Sequence, residues 1–102
     1  MELYLKTKTG ADAFGEYDPA TKIMIVRKGS IVSPNVHTGG KFRSANAVLR
    51  CRELYCEDGK TKQDVAFKSA STAANFVTGC SSDGLIKWKN SDGVKLRVLL
   101  SE

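Results

Sequence analysis

Four side chains in this sequence carry the donor atoms that a transition metal takes: His37, Cys51, Cys56 and Cys80. A structural zinc site usually draws two thiolates from a Cys-x(2–4)-Cys knuckle in a turn. Cys51 and Cys56 instead fall in a helical pattern, where five residues place them about 140° apart on different faces. Thiols acting as small buried hydrophobes fit the spacing better than ligands. Catalysis by the common routes needs clustered titratable groups. The lone histidine, His37, lies in a polar stretch and reads as an exposed loop residue. No Gly-x-Ser-x-Gly nucleophile elbow and no Gly-x-x-x-x-Gly-Lys-Ser/Thr phosphate loop is present. The expectation is a chain without catalytic machinery, cofactor or metal.

The stronger chemical signal is charge. The net charge is +5 over 102 residues, and it is unevenly placed. Lys22, Arg27, Lys28, Lys41, Arg43, Arg50 and Arg52 fall in residues 19–52, which hold no acid; the remainder has 9 bases against 11 acids. Such a block suits an anionic partner. A solvated surface neutralised by acids from elsewhere in the fold is the alternative. Arginine supplies planar, bidentate donors for phosphate, and the Gly39-Gly40 pair beside Lys41 would let backbone amides approach. The sequence therefore predicts a contiguous basic face on residues 22–52.

The elements that must position these groups can be read from the pattern. Leu3 to Lys8 alternates apolar and polar, and Ala13 to Tyr17 is a second candidate strand. Asp18-Pro19-Ala20-Thr21 marks a turn. Ile23 to Val26 reads as a strand largely buried on both faces. Residues 33–43, with Pro34 and Gly39-Gly40, read as a loop. A helix follows, capped by Ser44 and closed by Gly59, with Ala47, Val48, Cys51, Leu54 and Tyr55 as its apolar face. Val65 to Phe67 is a short strand. Ser69 caps a second helix, Ala70 to Thr78, which ends at Gly79. Its buried face is Ala70, Ala73, Ala74 and Val77, and its polar stripe is Ser71, Asn75 and Thr78. Asp83-Gly84 is a turn, and Leu85 to Lys89 and Val94 to Leu100 read as paired strands. The fold class is α+β: one domain, a small antiparallel or mixed sheet with two helices packed on it. No apolar stretch approaches the roughly 20 residues of a membrane span, and the first residues do not form a signal peptide. With an odd cysteine count, a cytoplasmic, reduced protein is expected.

The stretch from Phe67 to Lys89 resembles the signature of a prokaryotic domain of unknown function often found C-terminal to GIY-YIG nuclease domains. That family shows Phe-x-Ser-Pro-Ser-x-Ala-Ala, then Gly, Asn-Gly-Trp, Trp-Lys and Gly-x-x-Leu. Phe67, Ser69, Ser71, Ala73, Ala74, Gly79, Gly84, Trp88, Lys89, Gly93 and Leu96 match in order. Lys28-Gly29-Ser30 resembles an earlier Lys-Gly-Ser of the family. Ala70, Asp83 and Leu85 depart from it, standing where Pro, Asn and Trp are usual. The pattern is also similar to the RAMA domain, a module associated with restriction enzymes and adenine methylases. The resemblance implies a DNA-contacting accessory role beside a nuclease or methyltransferase.

The functional expectation is a non-catalytic nucleic-acid-binding accessory domain, DNA first, with a protein-docking module as the alternative. Beyond the basic window, Lys68, Ser69 and Ser71 at a helix N-terminus suit a phosphate, although the two serines equally suit capping. Lys87 and Lys89 flank Trp88, which fits either a core anchor or a base-stacking surface.

Overall fold

The computed structural model describes residues 1–37 and 42–101. Strands β1 (Glu2–Lys6), β2 (Asp12–Tyr17), β3 (Met24–Val26) and β6 (Val65–Phe67) form an antiparallel sheet in the order β1-β2-β3-β6. Between β3 and β6 come helix α1 (Ala45–Tyr55) and a two-residue ribbon, β4 (Cys56–Glu57) with β5 (Lys60–Thr61). After β6 follow α2 (Ala70–Thr78), α3 (Gly84–Lys87) and α4 (Leu96–Leu100). The expected α+β class holds.

Alternation along the strands divides the sheet into two faces. Leu3, Leu5, Ala13, Tyr17, Met24, Val26, Val65 and Phe67 are buried on the inner face. Helix α2 lies across β3 and β6 there, and α1 packs against α2. Ala73 and Ala74 are fully buried, so the helix backbone approaches the sheet closely. Phe76 adds a tilted ring contact with Phe67, centroids 5.0 Å apart. The outer face carries Tyr4, Lys6, Asp12, Phe14, Glu16, Ile25 and Ala66, with none of them fully buried.

Helix α2 follows its sequence signals closely. The Ser69 hydroxyl accepts from the Thr72 amide, and Gly79 ends the helix at φ +75°. The Asp18 carboxylate likewise accepts from Ala20 in the expected turn.

Several expectations are corrected. Helix α1 stops at Tyr55, not Gly59. Asp58 and Gly59 both have positive φ (53° and 78°) and form the tight turn between β4 and β5. Leu54 is 59% exposed and Ala47 is exposed; Ala45 and Val48 are the buried contacts of α1. Ser44 stands at the N-cap but its side chain makes no cap hydrogen bond. Strand β3 is not buried on both faces, since Ile25 is half-buried and Ile23 exposed. Thr78 is buried, its hydroxyl donating back to the Ala74 carbonyl.

The terminal hairpin is replaced by helices α3 and α4 around a narrow turn. Asn90 and Val94 bond across that turn, and Leu96 N–H reaches the Trp88 carbonyl. Leu96 is buried and Leu99 packs on the core, an i, i+3 pairing, while Val98 and Leu100 are exposed.

Candidate nucleic-acid interface

The signature residues are occupied inside the fold. Trp88 is fully buried, and its indole N–H donates to the Ala70 carbonyl at 3.0 Å. A base cannot stack on it, so that reading of Trp88 is corrected. Ser69 is the cap of α2, and the Ser71 hydroxyl accepts from the Gly84 amide at 2.9 Å. A Cβ on Gly84 would overlap the Ala70 carbonyl group, so only glycine lets α3 sit against the first turn of α2. Ser30 of the Lys-Gly-Ser stretch is also buried, donating to the Arg27 carbonyl and accepting from the Phe14 amide. Both hydroxyls proposed for phosphate, Ser69 and Ser71, thus have internal partners; Lys68 beside them is exposed.

The basic window does not form one face. Lys22 sits in the turn before β3 at φ 65°, and Arg27 and Lys28 follow the other end of that strand. The Arg27 guanidinium meets Asp64 at 3.3 Å, and the Lys28 amide donates to the same carboxylate at 2.8 Å. These contacts, the Lys28 amide first, hold the Asp64 carboxyl below the usual range. Arg50 is exposed on α1, which packs on α2, and Arg43 is exposed in the turn just before that helix. Arg52 points inward: its three nitrogens donate to the carbonyls of Ser33, Phe76 and Val77 at 2.6, 2.9 and 3.1 Å. Burial lowers its pKa, yet it remains cationic at neutral pH. Two of its acceptors are C-terminal carbonyls of α2, which lack intrahelical partners and favour a cation. Arg52 is therefore a structural clamp and not a phosphate contact. Lys41, with Gly39-Gly40, lies outside the described residues.

What the structure brings together was not expected from sequence. Tyr4 of β1 is directly opposite Phe14 of β2. On the far side of β1, Tyr4 exchanges two main-chain hydrogen bonds with Lys89, at 2.7 and 3.0 Å. Lys89 in turn bridges to Lys95, and the Arg27 amide donates to the Phe14 carbonyl. Directly paired antiparallel residues project to the same face. Lys95, Lys89, Tyr4 and Phe14 therefore form one cross-strand row on the outer face, with Arg27 at its end. Tyr4 is 43% and Phe14 40% exposed. A shallow cleft of about 450 Å³ beside Tyr4 is lined by Lys6, Lys87, Lys89, Asn90 and Ser91. Tyr4, Lys6 and Phe14 were missed because only the strand register shows that they are neighbours.

Lys87 also borders a second cleft of about 360 Å³, with Thr7, Thr9, Ser33, His37, Cys80 and Ser82 in its wall. Its hydroxyls largely bond one another: Thr78 with Ser82 at 2.8 Å and Thr7 with Thr9 at 2.9 Å. Among the described residues, no carboxylate lines it. Burial pushes the Cys56 thiol up, which keeps it protonated and unreactive at neutral pH. Among the described residues, no three His, Cys, Asp or Glu side chains converge as metal ligands. No helix among them is long and apolar enough to cross a membrane.

The fold and surface define a small two-layer α+β module whose sheet is covered on one face and open on the other. The chain belongs to the family described as Domain of unknown function (DUF4357), whose model matches residues 3–99. Neither the curated proteins nor the solved structures provide a match.

Proposed function

We propose that this chain is a nucleic-acid-binding accessory domain, DNA its first ligand, serving a nuclease or methyltransferase and doing no chemistry itself. The reading rests on one observation: among the described residues, its exposed cations make almost no side-chain ion pairs. Lys22, Lys28, Arg43, Arg50, Lys68, Lys87 and Lys89 are exposed. Among the described residues, Arg27–Asp64 is the one ion pair between side chains. Free cations on a chain of net charge +5 favour a polyanion. The resemblance to domains that accompany GIY-YIG nucleases and to the RAMA module supports a DNA setting and a cytoplasmic one.

Binding to duplex, single-stranded and adenine-methylated DNA, measured by electrophoretic shift or anisotropy, tests the proposal. Neutralising about four phosphates on a duplex predicts a log-affinity against log-salt slope near −3.6. No binding at low ionic strength overturns it.

A second reading, a protein-docking module, has its own observation. Leu49 is exposed on α1 and, with Val32, Pro34 and Cys56, lines a shallow groove of about 460 Å³. Binding through the groove's apolar part, which Glu53 and Asp58 also border, would depend on salt less than phosphate binding does and would be lost in Leu49→Ser.

A further inference from the structure

We infer that the open sheet face is a platform for single-stranded nucleic acid, with successive bases stacked on Tyr4 and Phe14 and the backbone held by the flanking lysines. The inference rests on the nucleic-acid reading above and specifies both the place and the form of the ligand.

Three features carry it. First, Tyr4 and Phe14 are cross-strand partners, exposed on the face opposite the one that α2 covers. Adjacent strands lie roughly 4.8 Å apart, so two rings at such positions can serve consecutive bases of an extended strand. Stacking on aromatic side chains is how sheets and barrels grip unpaired bases, which present π-faces that a duplex keeps hidden.

Second, the cations continue the same row. Lys89 is bonded through its main chain to Tyr4, and Lys95 is bridged to Lys89. Lys6 and Lys87 line the cleft beside the Tyr4 ring. The phosphates of a strand whose bases lie on Tyr4 and Phe14 would pass these ammonium groups.

Third, the acids set the path. Glu2 and Glu16 stand opposite each other at one end of β1 and β2, with Glu16 held by the N-terminal ammonium, and Asp12 stands opposite Lys6 at the other end. A polyanion is therefore turned away from the Glu2–Glu16 end and toward Lys87, Lys89 and Lys95.

Neither ring belongs to the core, so both can be replaced with the fold intact, which circular dichroism would verify. Anisotropy titrations of the full chain would use a fluorescein-labelled dodecamer of deoxythymidine, its uridine counterpart and a duplex of the same length. Tyr4→Ala and Phe14→Ala should each weaken single-strand affinity roughly 5- to 150-fold. Tyr4→Phe should retain it, and duplex affinity should be unchanged in all three variants. The two single strands show whether DNA or RNA is preferred. Trp88, the lone tryptophan, is buried, so a Tyr4→Trp variant adds a reporter whose emission should be quenched when a base stacks on it. If the alanine variants bind single strands as the parent does, or the new tryptophan is unquenched, the platform is wrong while the accessory role survives. If the parent binds no nucleic acid at all, both fail together.

Discussion

The indole N–H of Trp88 donates to the Ala70 carbonyl, joining the end of α3 to the first turn of α2 across eighteen positions of sequence. Around this bond the family signature becomes intelligible. Ser71 holds the Gly84 amide, Gly84 makes room for Ala70, and Ala73 and Ala74 let α2 settle on the sheet. These residues describe how two helices lock together.

Trp88→Ala should cost about 3–5 kcal/mol, the usual range for emptying a large aromatic site. Trp88→Phe keeps a ring but removes the N–H, and should cost about 1–3 kcal/mol. Urea denaturation of both variants reads the difference. Equal stability for all three proteins would contradict the buried placement.

Arg50 and Arg52 are two residues apart and should behave oppositely. Arg50→Ala, at an exposed site, should change stability by less than about 0.5 kcal/mol. Arg52→Lys should cost about 1.5–3 kcal/mol, because one ammonium cannot serve three carbonyls set for a guanidinium fork. Thermal melts of the pair check this, and Arg50→Glu should also lower the salt slope of any DNA binding.

Ala70→Pro is expected to stabilise by about 0.4–1 kcal/mol. Ala70 is the first residue of α2, where the amide has no intrahelical acceptor and proline is well suited. Ser69 before it is extended at φ −152° and ψ 160°, which a following proline requires. A lower melting temperature would show that the ring does not fit the buried site.

Asp64 adds a pH dependence. Its folded pKa is depressed, mainly by the Lys28 amide and then by Arg27. The stabilisation is therefore present above the unfolded value of about 3.9. It is lost as pH falls from there through the folded pKa. Asp64→Asn should lower stability slightly at neutral pH and flatten the acid side of a stability–pH curve. An unchanged acid limb would place the dependence elsewhere.

The legible parts of the sequence were those with local grammar. Ser69 and Gly79 bracket α2 because a hydroxyl cap and a left-handed terminator act within one turn. The sequence pattern carries the helix on to Gly59, because β4 and β5 have two residues each, too few to alternate. Val94, Leu96, Val98 and Leu100 alternate like a strand, yet α4 is one turn long, and over five residues the two periods are hard to separate. The basic window was visible as composition, but composition does not say that Arg52 turns inward. The Tyr4–Phe14 neighbourhood depends on register, and Lys89 reaches it from more than eighty residues away.

The strand order carries a kinetic consequence. β1, β2 and β3 are successive neighbours, each closed by a short connection, whereas β3 must wait for β6 across the thirty-eight residues 27–64. Closing that span costs conformational entropy before any β3–β6 contact repays it. The three-stranded meander, with its paired Tyr4 and Phe14, should therefore organise early. Docking of β6 with the α2–α3 lock should follow as the slower event. Substitutions within β6 and α2 would then act chiefly on the unfolding rate, and those in the β1–β2 pairing on the rate of folding.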